Sequence, residues 1–164
     1  MAKRKLQRFA ETATFENVFH VGYEDSLKNF PLKGKWNSDF FKNNFPIVLE
    51  LGCGKGEYAV GLAERFPEKN FIGTDIKGAR IWRGAKTAVE NKMTNVAFLR
   101  TRIEFIESCF DAGEISERWI TLPDPQPQES RELKRLTLER VGKRYKKILK
   151  PEGIIHLKTD SFPL

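Results

Sequence analysis

Apolar and polar positions follow two periods along this chain, and the two periods predict strands and helices in turn. Short apolar runs such as 47–51 have the β-branched content of a buried parallel strand. Longer segments with apolar residues three and four positions apart predict amphipathic helices. The predicted order is strand 47–51, helix 57–66, strand 71–75, helix 78–90, strand 95–99, helix 102–109, strand 118–122, a helix over about 133–149 and strand 153–158.

This alternation predicts an α/β fold built on a Rossmann-like, doubly wound and mostly parallel sheet. Residues 1–45 lack the alternation, and they predict a basic N-terminal arm and lead-in whose phenylalanines pack on the body. Residues 46–164 predict the sheet domain. Ligands bind beyond the carboxyl ends of such strands. Four acids that follow predicted strands would meet at that edge: Glu50, Asp75, Asp124 and Asp160.

The first predicted strand leads into a glycine-rich turn, in which Gly52, Gly54 and Gly56 follow Glu50. Glycines adopt positive φ without strain and let a ligand approach the backbone. The dinucleotide fingerprint requires a glycine where this chain has Glu57, so a pyrophosphate ligand is disfavoured. A carboxylate at Glu50 suits a ligand with an ammonium and a sulfonium, such as S-adenosylmethionine. The alternative is a turn that binds no ligand.

Asp75 ends the second predicted strand, about twenty residues after the glycine turn, where nucleoside-binding sheets place a carboxylate on ribose hydroxyls. The same spacing fits a dehydrogenase, so it supports nucleoside binding without selecting the enzyme class. The structural alternative is that Asp75 is the N-cap of the next helix.

The fourth predicted strand ends at Pro123-Asp124-Pro125. Prolines on both sides restrict the backbone and remove competing N–H donors, so Asp124 would be held where a substrate arrives. A proline-rich surface turn is the alternative interpretation of this segment.

The net charge of +7 is concentrated in two segments. Residues 131–150 contain nine basic and two acidic residues, which sum to +7, and four basic residues within 3–8 add +4, so the remainder sums to −4. Two basic clusters on a nearly neutral body favour a polyanionic partner. A solvated helix face is the alternative for each cluster.

Composition excludes several other classes of protein. No apolar run approaches the roughly 20 residues of a membrane span, and the basic N-terminus has no apolar signal segment behind it, so we expect a cytoplasmic protein without membrane association. Cys53 and Cys109 have neither metal-ligand spacing nor a disulfide framework, so we expect no metal. His20 and His156 are isolated, and we expect structural roles for them.

The ordered motifs together resemble those of bacterial tRNA (guanine-N7-)-methyltransferases, which belong to the class I S-adenosylmethionine-dependent methyltransferases. The resemblance spans Lys3 to Asp160 and implies methyl transfer to N7 of a guanosine at position 46 in the tRNA variable loop. The motifs that carry it are Glu50-x-Gly-x-Gly-x-Gly, Phe71-Ile-Gly-x-Asp75, Leu122-Pro-Asp-Pro125, Lys134-Arg135-Leu-Thr and Leu149-Lys-Pro-x-Gly-Ile-Ile-His-Leu-Lys-Thr-Asp160.

The resemblance also implies roles for individual residues. Arg102 and Ile103 would contact the cofactor through their backbone, because the family often has an adenine-contacting acid where this chain reads Thr101-Arg102-Ile103. Asp124 would serve catalysis and substrate binding. The other residues implied by the family pattern are, for the cofactor, Glu50, Gly52, Gly54, Gly56 and Asp75, and for the substrate, Gln128 (where the family has lysine), Lys134, Arg135 and Asp160.

Three questions stay open at this point. The family continues beyond Asp160 with two further strands and a Thr-x-x-Glu motif, so the resemblance implies that the final strands are missing from a chain that ends at Leu164. The alternative functions are an NAD-binding Rossmann oxidoreductase and a non-catalytic RNA-binding module. The sequence is compatible with both a monomer and a homodimer.

Overall fold

The computed structural model describes residues 2–28, 30–122, 143 and 146–159. A π-helix, Trp36–Phe41, precedes β2, and a 3₁₀ helix, Ile103–Ser108, follows β4. The α-helices and strands of the described part are α1 (Ala2–Thr12), β1 (Val18–Val21), α2 (Tyr23–Ser26), β2 (Ile47–Leu51), α3 (Glu57–Arg65), β3 (Asn70–Asp75), α4 (Gly78–Glu90), β4 (Val96–Thr101), β5 (Ile115–Leu122) and β6 (Leu149–Thr159).

The strands form one six-stranded sheet in the order β1-β4-β3-β2-β5-β6. Every neighbouring pair is parallel, which confirms the predicted α/β architecture. From β2 the chain builds the sheet outward through β3 and β4, and it then returns to place β5 on the other side of β2. Ligand sites of doubly wound sheets lie where the strand order reverses in this way, beyond the carboxyl ends of the strands. Here the glycine turn leaves β2 at that point.

Both faces of the sheet are covered, which explains the continuous apolar runs of its central strands. All five residues of β2 are buried. One face packs against α3 and α4, and the other packs against the π-helix and the 3₁₀ helix. Trp36 is fully buried on the second face, where it stacks on Phe110 with ring centroids 5.5 Å apart. Its indole N–H donates to the backbone oxygen of Cys109 at 2.9 Å.

Two N-terminal elements were not indicated by the sequence pattern. Helix α1 packs on α4, and the four-residue strand β1 pairs with β4 at the edge of the sheet. The expected packing of the aromatic residues is confirmed for Phe19 and Phe30, which contact the core around Trp36. A four-residue strand is too short to show a period in its apolar positions. Its place in the sheet also depends on a partner strand about 80 residues away in the chain.

Two later elements differ from their predicted form. The segment predicted as helix 102–109 is a 3₁₀ helix, in which the N–H of Cys109 donates to the oxygen of Ile106 three residues back, at 3.0 Å. Strand β6 begins at Leu149 instead of 153, and the register shifts between its first pair, Ile115 with Leu149, and the next, Glu117 with Ile154. The residues between the predicted helix 133–149 and the predicted strand 153–158 therefore belong to the strand, where the register is irregular. Of the helix predicted over 133–149, the structure describes helical residues at 143 and 146–148.

Helix α4 approaches the glycine turn closely because Gly84 has no side chain. A Cβ at Gly84 would lie 2.8 Å from the backbone oxygen of Lys55 and 2.9 Å from Cα of Gly56. A Cβ at Gly56 would in turn lie 2.5 Å from the ring of Phe98, which is fully buried. Helix, turn and sheet are thus in direct contact, with no space for an additional carbon.

We predict that alanine has opposite effects at the two interior helix glycines. The added methyl group of Gly84→Ala would push the backbone of α4 away from the glycine turn. This substitution should therefore lower the free energy of unfolding by about 1–3 kcal/mol. Gly61→Ala in α3 meets no atom within 4 Å, so the gain in helix propensity should raise stability by about 0.5–1 kcal/mol. Urea titrations of the two variants check this, and a stabilised Gly84→Ala variant would contradict the packing described above.

Candidate functional site

The glycine turn leaves open space at the carboxyl edge of the sheet. Gly52 and Gly54 have φ of +63° and +56°, and a Cβ built on either meets no atom within 4 Å. Positive φ disfavours other residue types at these positions. Gly56 differs from them, because the space beside it is filled by Phe98. The first two glycines therefore make room for a ligand, whereas the third allows the helix to pack.

Asp75 joins the turn to the start of α4. Its Oδ2 accepts a hydrogen bond from the N–H of Gly54 at 2.9 Å, and its Oδ1 accepts one from the N–H of Lys77, also at 2.9 Å. The interpretation of Asp75 as the helix N-cap is wrong, because Lys77 occupies that position. The carboxylate is half-buried, and its two hydrogen bonds hold the backbone of the glycine turn and the backbone at the start of α4.

Glu50 lies inside the same edge, on β2, and is 5% exposed. The hydroxyl of Thr74 donates to its backbone oxygen at 3.1 Å, while the N–H of Cys53 donates to the backbone oxygen of Thr74 at 2.8 Å. Glu50 and Asp75 are therefore held by neighbouring strands beside one turn, as the sequence predicted for these two acids. A pair of carboxylates in this position favours a ligand with positive charge.

A cavity of about 360 Å³ opens beside this turn, which is within the usual size range of small-molecule sites. It brings together four of the predicted cofactor-binding residues: Gly52, Asp75, Arg102 and Ile103. Glu50, Gly54 and Gly56 do not line it. The lining also includes Thr101 and four residues that the sequence analysis did not mention, namely Thr74, Ile76, Glu104 and Ile106.

Glu104 is the most informative of the residues that sequence reasoning missed. The resemblance directed attention to 101–103, where this chain has no acid. Glu104 follows directly, in the first turn of the 3₁₀ helix, and it lines the cavity. The signal that could have found it was an acid at the start of the helix after β4.

The predicted catalytic and substrate-binding residues lie outside the described part of the chain. These are Asp124, Gln128, Lys134, Arg135 and Asp160. Their roles therefore stay predictions. Of the strands that precede Asp124 and Asp160 in the sequence, β5 pairs with β2, and β6 pairs with β5 at the edge of the sheet.

Both histidines pack against aromatic rings. The ring of His20 meets Phe9 edge to face at 6.0 Å, and burial together with the nearby charge of Arg100 lowers the pKa of His20. His156 stacks on Trp119 with centroids 4.1 Å apart, and its Nε2 lies 3.3 Å from a carboxylate oxygen of Glu117. Neither histidine lines the cavity beside the turn.

The part of the chain that the structure describes contains neither a metal site nor a membrane-spanning helix. No three His, Cys, Asp or Glu side chains there are grouped so that they could hold a metal ion. No helix within the described ranges combines the length and the apolar content that crossing a membrane requires.

Comparison with known proteins yields a family and several close relatives. The family model described as "Putative methyltransferase" matches residues 44–164. A tRNA (guanine-N(7)-)-methyltransferase of Christiangramia forsetii is 60% identical over 161 residues, which are 98% of this chain and 72% of that protein. The corresponding protein of Bacteroides thetaiotaomicron is 55% identical, over 98% of this chain and 64% of its own length. The chain therefore spans roughly two thirds of these curated relatives.

Solved structures share the fold at low sequence identity. An antibiotic-related methyltransferase has a TM-score of 0.64 at 15% identity, with 84% of this chain and 69% of that chain covered. A 16S rRNA (adenine(1408)-N(1))-methyltransferase from Catenulisporales acidiphilia has a TM-score of 0.59 at 19% identity, with 74% and 60% covered. These matches confirm the predicted class I methyltransferase fold.

We predict that both thiols of the native protein resist modification. Cys53 and Cys109 are buried. Burial raises the pKa of the Cys53 thiol well above its usual value, and the charges of Glu50 and Asp75 raise it further. Burial also raises the pKa of Cys109 to about 12. At about pH 8, near the pKa of a free thiol, a disulfide reagent should label neither residue in the folded protein and both in concentrated guanidinium chloride. Rapid labelling of folded protein would contradict this.

The same pKa shifts predict how stability depends on pH. A thiol whose pKa is higher in the folded state contributes stability below the unfolded pKa of about 8.5, and this contribution is lost as the pH rises toward the folded value. The free energy of unfolding should therefore fall between pH 8.5 and 12, and it should fall less in Cys109→Ala. If the free energy of unfolding fell equally with pH in the unmodified chain and in Cys109→Ala, the raised pKa of Cys109 would be contradicted.

Proposed function

Because the chain belongs to the tRNA (guanine-N(7)-)-methyltransferase family, we propose that it transfers a methyl group from S-adenosylmethionine to N7 of a guanosine in tRNA. The proposal includes position 46 in the variable loop as the target. The observation that carries it is the pair of acids, Glu50 and Asp75, on adjacent strands around an open glycine turn. Two free, buried thiols suit a reducing compartment, and we place the protein in the cytoplasm.

The residues of the turn fit the proposed cofactor. Gly52 and Gly54 leave space where any side chain would intrude on a ligand. Each carboxylate oxygen of Asp75 accepts one backbone hydrogen bond and keeps further acceptor capacity for a ribose hydroxyl. The buried negative charge of Glu50 favours the cationic methionine end. The cavity between Ile76 and Glu104 would hold the adenine. When bound, S-adenosylmethionine supplies an electrophilic methyl group.

The acceptor chemistry requires little proton transfer. Guanine N7 has an in-plane lone pair and no proton, so no general base has to act before the attack. The N7–methyl bond forms as the sulfur–methyl bond breaks, and the bond pair stays on sulfur. Much of the rate would come from positioning the two reactants. The base becomes positive during transfer, and we assign to Asp124 the stabilisation of that charge.

The two alternative functions are weighed by different observations. A nicotinamide oxidoreductase is disfavoured by membership of the methyltransferase family and by exposed Glu57, which takes the place of the third fingerprint glycine. A non-catalytic RNA-binding module shares the basic segments with the proposed enzyme. A methyl-transfer assay separates that module from the enzyme.

We predict that Asp75→Asn weakens cofactor binding. The amide keeps one acceptor oxygen and presents an N–H₂ group to a backbone N–H that it cannot pair with. The dissociation constant for S-adenosylhomocysteine should rise about tenfold, which corresponds to ~1.4 kcal/mol. Calorimetry measures this, with Asp39→Asn, at an exposed position of the π-helix, as the control. Unchanged affinity in Asp75→Asn would contradict the assigned role.

We predict that Asp124→Ala separates catalysis from cofactor binding. Loss of one group that stabilises transition-state charge costs roughly 100- to 1,000-fold in turnover. The measurement is transfer of a labelled methyl group to an unmodified tRNA transcript, followed by mapping of N7-methylguanosine. Affinity for S-adenosylhomocysteine should stay within about twofold of the unmodified chain's affinity. Wild-type turnover in Asp124→Ala would exclude this role, and a chain that binds cofactor and tRNA without methylation would favour the RNA-binding module.

A further inference from the structure

Helix α1 and the first half of α4 border two adjoining clefts next to the glycine turn. The larger cleft, of about 690 Å³, is lined by four cations of α1: Lys3, Arg4, Lys5 and Arg8. The second, of about 360 Å³, shares Arg8 and Ala79 with the first and adds three cations: Lys55, Arg80 and Arg83. Seven cations and the single acid Glu57 give this surface a charge of +6, which compares with +7 for the whole chain. We refer to it as the α1–α4 cationic surface.

No ion pair among the described residues neutralises the charge of this surface. Among the described residues, the ion pairs involve Lys69, Lys86, Lys147 and His156, and none of the seven cations takes part. All seven cations are exposed. A dense group of unpaired cations produces a positive potential that attracts polyanions.

The first turns of α1 and α4 do not benefit from the placement of these cations. The first turns of α1 and α4 contain no acidic residue, although a helix N-terminus favours negative charge. Three cations follow one another at intervals of three residues at the start of α4: Lys77 at the N-cap, Arg80 and Arg83. Like charges at this spacing on a helix repel each other. The arrangement therefore lowers stability slightly, which a structural role does not explain.

The position of α1 on α4 is nevertheless fixed by the second half of α1. The guanidinium of Arg8 lies 4.4 Å from the ring centroid of Trp82, whose indole N–H donates to Glu11 at 2.7 Å. Glu11 also pairs with Lys86 at 3.4 Å. The first turns of α1 are thus held out over the clefts, and the cations of both helices point to one surface that exists before any partner binds.

We propose that the α1–α4 cationic surface binds the phosphodiester backbone of the RNA substrate. The proposal rests on the proposed function for the identity of that RNA. Phosphate contacts position a nucleic acid without reading its sequence, so this surface would orient the tRNA while other residues select the base. Its location supports this role, because Lys55 belongs to the glycine turn and the clefts adjoin the edge at which the cofactor would bind.

The test is a triple variant, Arg4→Gln/Arg80→Gln/Arg83→Gln, in which no hydrogen bond or ring contact of the described residues is removed. Binding of an unmodified tRNA transcript is measured at several KCl concentrations. Each phosphate contact contributes about 0.7–0.9 to the slope of log K against log salt, so the slope should decrease by about 2. The dissociation constant near 0.1 M salt should rise at least about tenfold.

Two further readouts distinguish RNA binding from a structural role. Because the triple variant relieves repulsion, its Tm should equal or exceed that of the wild-type chain, and its affinity for S-adenosylhomocysteine should be unchanged. The control is Lys42→Asn/Arg65→Gln/Lys92→Asn, which removes the same charge from the opposite, amino edge of the sheet, together with the contact of Arg65 with the ring of Phe66 at 5.8 Å. Asparagine suits positions 42 and 92, where φ is +58° and +53°. The control should bind tRNA like the wild-type chain.

Several outcomes would overturn the inference. These are an unchanged tRNA affinity and salt slope in the triple variant, equal losses in variant and control, a lowered Tm with weaker cofactor binding, or a surface that binds anionic lipid vesicles and not tRNA. Failure of the proposed function appears differently. If the chain does not methylate tRNA but the triple variant specifically loses tRNA binding, the surface is supported and the enzymatic proposal is rejected.

Discussion

The contact of α4 with the glycine turn is the constraint on which the rest of this structure depends. Gly84 allows the helix backbone to reach the backbone of Gly56, and Phe98 fills the space beneath both. This close approach fixes the start of α4 beside the end of β3, so that Asp75 can bond to Gly54 and Lys77 together. The turn keeps its open conformation because its backbone is held against the backbone of the helix.

The edge of the sheet separates two kinds of charge over a short stretch of chain. Glu50 is buried and Asp75 lines the cavity, where we propose that they favour a sulfonium ligand, while Lys55 and Arg80 are exposed, where we propose that they favour phosphates. A methyltransferase that acts on RNA has to bind a cationic cofactor and a polyanionic substrate at the same edge. The acids lie on the strands and the cations lie on the glycine turn and α4, so the two kinds of charge occupy different elements of the same edge.

Local patterns predicted the elements that contain a regular stripe or a continuous run of apolar residues. The bounds of α4 agree at both ends with the apolar stripe, and β2 was evident from its continuous apolar run. The edge strand β1 escaped prediction because its pairing with β4 is non-local. The cavity was anticipated through Asp75, Arg102 and Ile103, whereas Glu104 was missed by one position. Only the α1 part of the cationic surface was evident from the sequence, as the basic cluster within 3–8. Arg80 and Arg83 are distant from α1 in the sequence and lie beside it only in the folded chain.

The contact between α1 and α4 also has a spectroscopic consequence. Trp82 lies under the guanidinium of Arg8 and donates its indole N–H to Glu11, so two of its polar neighbours come from α1, while a third, Lys86, comes from α4 itself. Trp36 is fully buried in the opposite face of the sheet, and Trp119 stacks on His156. Indole emission depends on nearby charge and hydration. Trp82 is therefore an intrinsic fluorophore whose signal reports specifically on the docking of α1, against a background of two tryptophans that this helix does not touch.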